Sequence, residues 1–231
     1  MPELSVDQGT SDWRTVCRRA ARAAAEAEAR TVWQVGNGDE IPFNFRWEHV
    51  QHVVKTALWL ANRTGADQEV VEAAAWLHDV RKQEKKHAMA GAEAAQTILA
   101  ATDFPAAKIE AVADSIRQHE GLSRTELDPL QPLEAAVLWD ADKLTKLGVQ
   151  ALIYNLSGRR VQGNTLAQRR QLAAEFTTQI LVRTVASMNT EPALSLAVER
   201  YQAMLVVLEQ WRHDELLDNE LLDDETLDAG L

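Results

Sequence analysis

A single cysteine, Cys17, leaves this chain of 231 residues without an internal disulfide and fits a reducing compartment. No apolar run approaches the roughly 18 residues that a membrane helix needs. The start, Met1-Pro2-Glu3-Leu4-Ser5-Val6-Asp7, has neither the basic stretch nor the apolar core of a secretory signal. A cytoplasmic protein is expected. Neither GxxxxGK[ST] nor GxGxxG occurs, and no repeat or low-complexity segment is present. A basic stripe is also missing, which argues against double-stranded nucleic acid as a partner. Glycine (10) and proline (6) are scarce and fall mostly between apolar-periodic segments, so they punctuate helices and do not interrupt them.

What is present favours helix. Ala, Leu, Glu, Gln and Arg fill long stretches, and a hydrophobic content of 46% can bury a real core. The formal charge of −11 is uneven: eight acids and no Lys or Arg lie between Asp214 and Leu231, leaving about −3 on the rest. Most of the net negative charge therefore sits in a tail and need not repel an anionic ligand elsewhere.

Residues 12–35 read as a first helix with Asp12 as N-cap, ending in Gly36-Asn37-Gly38-Asp39. A second runs from about Arg46 to Arg63, with Val50, Val53, Val54, Ala57, Leu60 and Ala61 on one face and His49 one turn before Val53. Gly65 caps its end and Asp67 starts a third helix reaching Leu77-His78-Asp79. The short loop makes these antiparallel neighbours, which brings His49 to His78 and Asp79. Further helices are expected over 87–100, 106–119, 165–187 and 191–222, with an apolar helix from Leu133 delivering Asp140 and Asp142. Buried acids need compensation.

Adjacent His and Asp at the end of an apolar helix offer a neutral nitrogen and an anionic oxygen to one point, which is how a metal site begins. His49, His78-Asp79 and an aspartate of Asp140-Ala141-Asp142 complete an ordered pattern H…HD…D. Over roughly residues 43–156 the chain resembles the HD-domain superfamily of metal-dependent phosphohydrolases. In that resemblance the last ligand stands in an Ala-Asp-Lys/Arg-Leu context, which assigns it to Asp142. Asp140, about 200° round the helix axis, is left a supporting or capping contact. In two-metal members, including the bacterial symmetrical diadenosine tetraphosphate hydrolases, one histidine opens a helix as His87 does and another ends the next as His119 does.

The resemblance thus implies metal ligands His49, His78, Asp79, His87, His119 and Asp142, with Asp79 bridging and Lys82 neutralising phosphate in the HDxxK form. Asp79 and Lys82 are the candidate catalytic residues. Arg81 replaces the usual glycine and is expected to crowd the loop. Imidazole and carboxylate without thiolate suit one or two ions of Mn, Fe, Co, Ni or Zn without selecting among them. Ions on such ligands acidify water and clamp phosphoryl oxygens as charge develops.

The expected fold is all-α: an HD-domain helical bundle with an N-terminal helix and a C-terminal helical extension. Its expected parts are an N-terminal tail and helix (1–40), the metal-binding core (41–156), C-terminal helices packed on the core (157–217) and the acidic tail (218–231). The function implied is hydrolysis of a phosphoester or phosphoanhydride of a nucleotide or small phosphorylated metabolite. Two other readings use the same residues, a di-iron HD-type oxygenase and a non-catalytic metal-containing regulatory or binding module. A small phosphorylated substrate is the expected partner, no membrane is expected, and homo-oligomerisation is left open.

Overall fold

A computed structural model describes residues 12–125, 128–158 and 161–223. The start of the chain and the acidic stretch after Asp223 lie outside them. The fold is all-α, with no strand among the described residues. The helices are α1 (Trp13–Trp33), α2 (Phe45–Thr64), α3 (Gln68–Leu77), α4 (His87–Ala100), α5 (Ile109–Arg117), α6 (Leu133–Leu144), α7 (Val149–Ser157), α8 (Leu166–Glu175), α9 (Val182–Ala186) and α10 (Glu191–Asp223). None is long and apolar enough to cross a membrane.

Two compact units emerge. The first comprises the chain up to Glu120 with Asp128–Asp142; the second begins again at Lys143 and takes in the short segment from Gly121. In the first unit, α1 is built for close approach. Trp13, Cys17, Ala21, Ala25 and Ala29 recur every fourth residue as one narrow buried stripe, and small side chains let α1 lie against α2 and α3. Asp12 accepts from the Thr15 amide as N-cap, and the Trp13 amide donates to Asp103 Oδ1 at 2.8 Å. The Trp13 ring meets Phe104 edge-on at 5.1 Å between centroids. Two of the amides left over at the helix start are satisfied in this way.

The α2–α3 hairpin forms for the reasons visible in the chain. Gly65 takes a left-handed φ of 81° and its amide closes on the Ala61 carbonyl, after which Asp67 accepts from the Glu69 and Val70 amides. Apolar faces carrying Val53, Ala57, Leu60 and Val70, Ala74, Leu77 are buried. α4 adds Ala88, Gly91, Ala92 and Ala95, packed so closely that a Cβ on Gly91 would stand 3.2 Å from the His78 carbonyl oxygen. The tightest part of this packing therefore lies directly behind the histidine of the HD pair.

The second unit holds α7–α10. The single helix expected over 165–187 is instead α8 and α9 joined by a π-helical turn, Phe176–Leu181. With no glycine or proline to break the chain, the register widens, and Thr177, Leu181 and Thr184 are all buried. α7 has no counterpart in the sequence reading; Gly148 at φ 96° starts it. Thr165 and Gln168 form a capping box on α8, Arg170 pairs with Glu215 at 2.6 Å, and Arg200 donates to the Leu144 carbonyl at 2.7 Å.

Candidate metal centre

Four helix ends and one helix face deliver the cluster. His49 comes from the first turns of α2, His78 and Asp79 follow α3, His87 opens α4, His119 lies just past α5, and Asp142 stands near the end of α6. Five of the six sequence-predicted ligands fall into two close groups that share Asp79, and the sixth, Asp142, stands against His49. His49, His78, Asp79, His119 and Asp142 are buried, and His87 is partly exposed.

Two of the imidazoles are oriented by the same device. His78 Nδ1 is 2.8 Å from the Ala75 carbonyl oxygen and His119 Nδ1 is 2.6 Å from that of Ile116. A carbonyl can only accept, so Nδ1 carries the proton in each ring and Nε2 is turned to the interior. Each bond is to a carbonyl in the last turn of a helix, the end that favours a cation.

The Asp79 carboxylate divides the cluster in two. Oδ2 lies 3.6 Å from His49 Nε2 and 3.4 Å from His78 Nε2; the two imidazole nitrogens are 3.4 Å apart, and Asp142 Oδ1 is 3.3 Å from His49 Nε2. Oδ1 lies 3.5 Å from His119 Nε2 and 3.9 Å from His87 Nε2. Donors held about 2.1 Å from one ion stand roughly 3.4 Å apart in tetrahedral geometry. The Oδ2 side has that spacing already. The Oδ1 side is slightly wider, and Lys82 Nζ sits in it, 3.1 Å from Asp79 Oδ1 and 3.0 Å from His87 Nε2.

The residues present fit a divalent metal. Asp79 Oδ1 is buried without a hydrogen bond of good geometry, and the cation that faces it is the Lys82 ammonium at 3.1 Å, whose place beside the imidazoles a divalent ion could take. Ligand atoms of His49, His78 and Asp79 lie within 4.8 Å of one another, as do those of Asp79, His87 and His119. Burial pushes the Asp79 carboxyl up, but the surrounding imidazoles, His78 foremost, outweigh it and hold the group well below the usual carboxylate range. His87 is pulled down by burial first and then by the Lys82 ammonium and the neighbouring His119, which favours the neutral ring that can coordinate.

Two residues of the cluster were missed by the sequence reading. Arg46 donates from Nη1 to Asp79 Oδ2, while its Nε and Nη2 reach Glu28 of α1 at 2.8 and 3.0 Å. Burial pulls this guanidinium down, yet Asp79 and Glu28 more than offset it and raise its pKa. Arg46 precedes His49 by one helical turn, and that i,i+3 spacing was the available signal. Lys82 contacts Asp79 and His87, so here it engages candidate ligands. Arg81 is 54% exposed, lies 3.6 Å from Glu84, and lines a cavity together with Asp79 and Lys82. Asp140 is fully buried, and Asp142 places its Oδ1 3.3 Å from His49 Nε2.

An all-α bundle that gathers histidines and aspartates from the ends of packed helices defines a helical metal-binding class. Residues 46–147 match the HD domain family, so the chain carries an HD domain. No curated protein sequence matches it. Its fold is similar to that of Bacillus subtilis YpgQ in complex with ADP, with a TM-score of 0.56 and 21% identity over 82% of this chain and 97% of that one. It is also similar to an HD-superfamily hydrolase from Bacillus thuringiensis (TM-score 0.59, 19% identity, 86% and 97% covered). A third similar structure is a predicted HD superfamily hydrolase from an uncultured Thermotogales bacterium (TM-score 0.54, 22% identity, 87% and 91% covered).

Proposed function

We propose that this protein is a cytoplasmic, metal-dependent phosphohydrolase that cleaves a phosphoester or phosphoanhydride of a nucleotide or small phosphorylated metabolite. The observation that carries the reading is the split Asp79 carboxylate, one oxygen turned to each of two sets of histidines. His49, His78, Asp142 and Asp79 Oδ2 would hold one divalent ion; His87, His119 and Asp79 Oδ1 would hold a second. Ions bound there would supply an acidified water and Lewis-acid stabilisation of the phosphoryl oxygens.

The chain's own side chains have separable tasks. Asp79, held ionised by its imidazole neighbours, keeps both oxygens available and does not serve as a proton donor. The Ala75 and Ile116 carbonyls lock the rings of His78 and His119 against rotation. Lys82, one-third exposed, can turn from Asp79 toward an incoming phosphate and place positive charge beside it. The cations at Asp79, Arg46 and Lys82, favour an anionic ligand. That Bacillus subtilis YpgQ was crystallised with ADP on a similar fold supports a nucleotide as the substrate class.

A panel of nucleotides and sugar phosphates incubated with Mn, Co or Ni, with every product identified, tests the reading. Orthophosphate release would mark a monoesterase, pyrophosphate a triphosphate hydrolase, and nucleoside diphosphate a dinucleotide hydrolase. Absence of any metal-dependent product would contradict the proposal.

A further inference from the structure

α1 lies before the matched HD-domain region, yet it supplies a carboxylate to the centre. Glu28 takes one edge of the Arg46 guanidinium, Nε and Nη2, in a fork, leaving Nη1 for Asp79 Oδ2. Arg46 is nearly buried, with 12% of its side chain exposed, so this is no surface ion pair. Glu28 and Asp79 also line one cavity of about 360 Å³, together with Ala24 and Ala27 of α1 and Lys82 and Gln83 of the loop after the HD pair. Arg46 therefore bridges two carboxylates of the same cavity wall. The volume is at the lower end of the roughly 300–1,000 Å³ usual for small-molecule sites.

The geometry creates a competition. Asp79 Oδ2 faces His49 and His78, the donor set spaced for a divalent ion, and it also accepts from Arg46. An ion on that donor set repels the guanidinium and withdraws the electron density that Nη1 uses. Glu28 still holds the Nε and Nη2 edge, so the guanidinium stays between two carboxylates that line the cavity, with Nη1 released. A planar, permanently charged fork with a spare donor is suited to a phosphate oxygen.

Resting on the phosphohydrolase reading, we infer that Arg46 is a substrate-binding residue that contacts the phosphoryl group once metal is loaded. Glu28 is its positioning residue, and the cavity walled by α1 takes the rest of a single small phosphate monoester. In this arrangement α1 is part of the substrate site, although it lies outside the matched domain.

Calorimetric titration of the full chain tests this with two probes, Mn²⁺ alone and inorganic phosphate added to the Mn²⁺-loaded protein. Arg46→Ala is expected to bind Mn²⁺ as tightly as wild type or more so, and to bind phosphate at least about tenfold more weakly, the loss of one charged hydrogen bond. Arg46→Lys, which keeps the charge without the fork, should fall between. Glu28→Gln leaves Arg46 leaning on Asp79 and should weaken Mn²⁺ binding a few-fold. The double variant should show the Mn²⁺ affinity of Arg46→Ala, because the Glu28 effect acts through Arg46.

Unchanged phosphate affinity in both Arg46 variants would overturn the inference. So would loss of Mn²⁺ binding in both variants, which marks a structural role, or a double variant that keeps the Glu28→Gln deficit. Failure of the wild-type Mn²⁺ protein to bind phosphate would also overturn it. The product panel decides the hydrolase reading separately, so the two can fail independently.

Discussion

The two sides of Asp79 differ in what encloses them. On the Oδ2 side, His49 and His78 have side chains that are 1% and 0% exposed, and the donors already stand at coordination spacing. On the Oδ1 side, His119 is as deeply buried, but His87 is 15% and Lys82 33% exposed, and the lysine ammonium lies among the donors. The inner side is built from helix packing, which fixes positions before anything binds. The outer side depends on a loop and a long flexible side chain, so its geometry can change with its occupant. A strong site and a weaker, adjustable one would share a single carboxylate.

The largest effect that can break this comparison is removal of the shared group. Asp79→Ala should abolish metal binding on both sides and reduce phosphate release to background, and His78→Ala should do nearly the same. His87→Ala should leave the inner ion in place and remove only the weaker binding event. Equal losses in Asp79→Ala and His87→Ala titrations would mean that the two sides do not differ.

Lys82→Ala should act in opposite directions on the two readouts. Removing the ammonium opens the Oδ1 side, so a second Mn²⁺ should bind more tightly by calorimetry. Turnover of the substrate found in the panel should nonetheless fall, because the charge beside the phosphate is gone. A fall in both would assign Lys82 to holding the ligands.

Gly91→Ala tests the packing behind the inner side. The new Cβ would stand 3.2 Å from the His78 carbonyl, a backbone atom with little room to move. Overpacking costs about 1–3 kcal/mol, and alanine recovers about 1 kcal/mol over glycine in a helix. The melting temperature should therefore drop only modestly while Mn²⁺ affinity weakens measurably. A stability loss with unchanged affinity would separate the packing from the centre.

The smallest effect concerns Cys17, which probes how far the sealed interior extends beneath α1. Burial pushes its thiol up to about 12. The folded state therefore favours the neutral thiol; that contribution is present below the ordinary cysteine range and is lost as pH climbs toward 12. At pH 8.5 a thiol reagent should react with the native protein at least about a hundredfold more slowly than with the denatured chain, since thiolate is the reactive form. Comparable rates would show that α1 does not close this side.

The helices and the candidate ligands were legible because each leaves a local mark. Gly65 and Asp67 punctuate the hairpin, and the apolar periods of α2 and α3 put His49 and His78 on one interior. The pairing of Glu28 with Arg46 left no such mark, since it joins helices across 18 residues and depends on where an alanine stripe lets α1 settle. Lys82 was legible as a neighbour of the HD pair, but its contact with His87 is set by the intervening turns. The π-helical turn escaped because its buried residues, Thr177 and Leu181, also satisfy an ordinary helical spacing. Local chemistry can be read along a chain; partners brought together by packing cannot.

The central claim is that His49, His78, Asp79 and Asp142 hold a divalent ion that hydrolysis requires. Metal content of the purified protein, measured alongside metal-dependent phosphate release for wild type and Asp79→Ala, tests it most directly. The account predicts at least one transition-metal ion per wild-type chain, none in the variant, and loss of release with the metal. Equal metal content and equal release in the two proteins would contradict it.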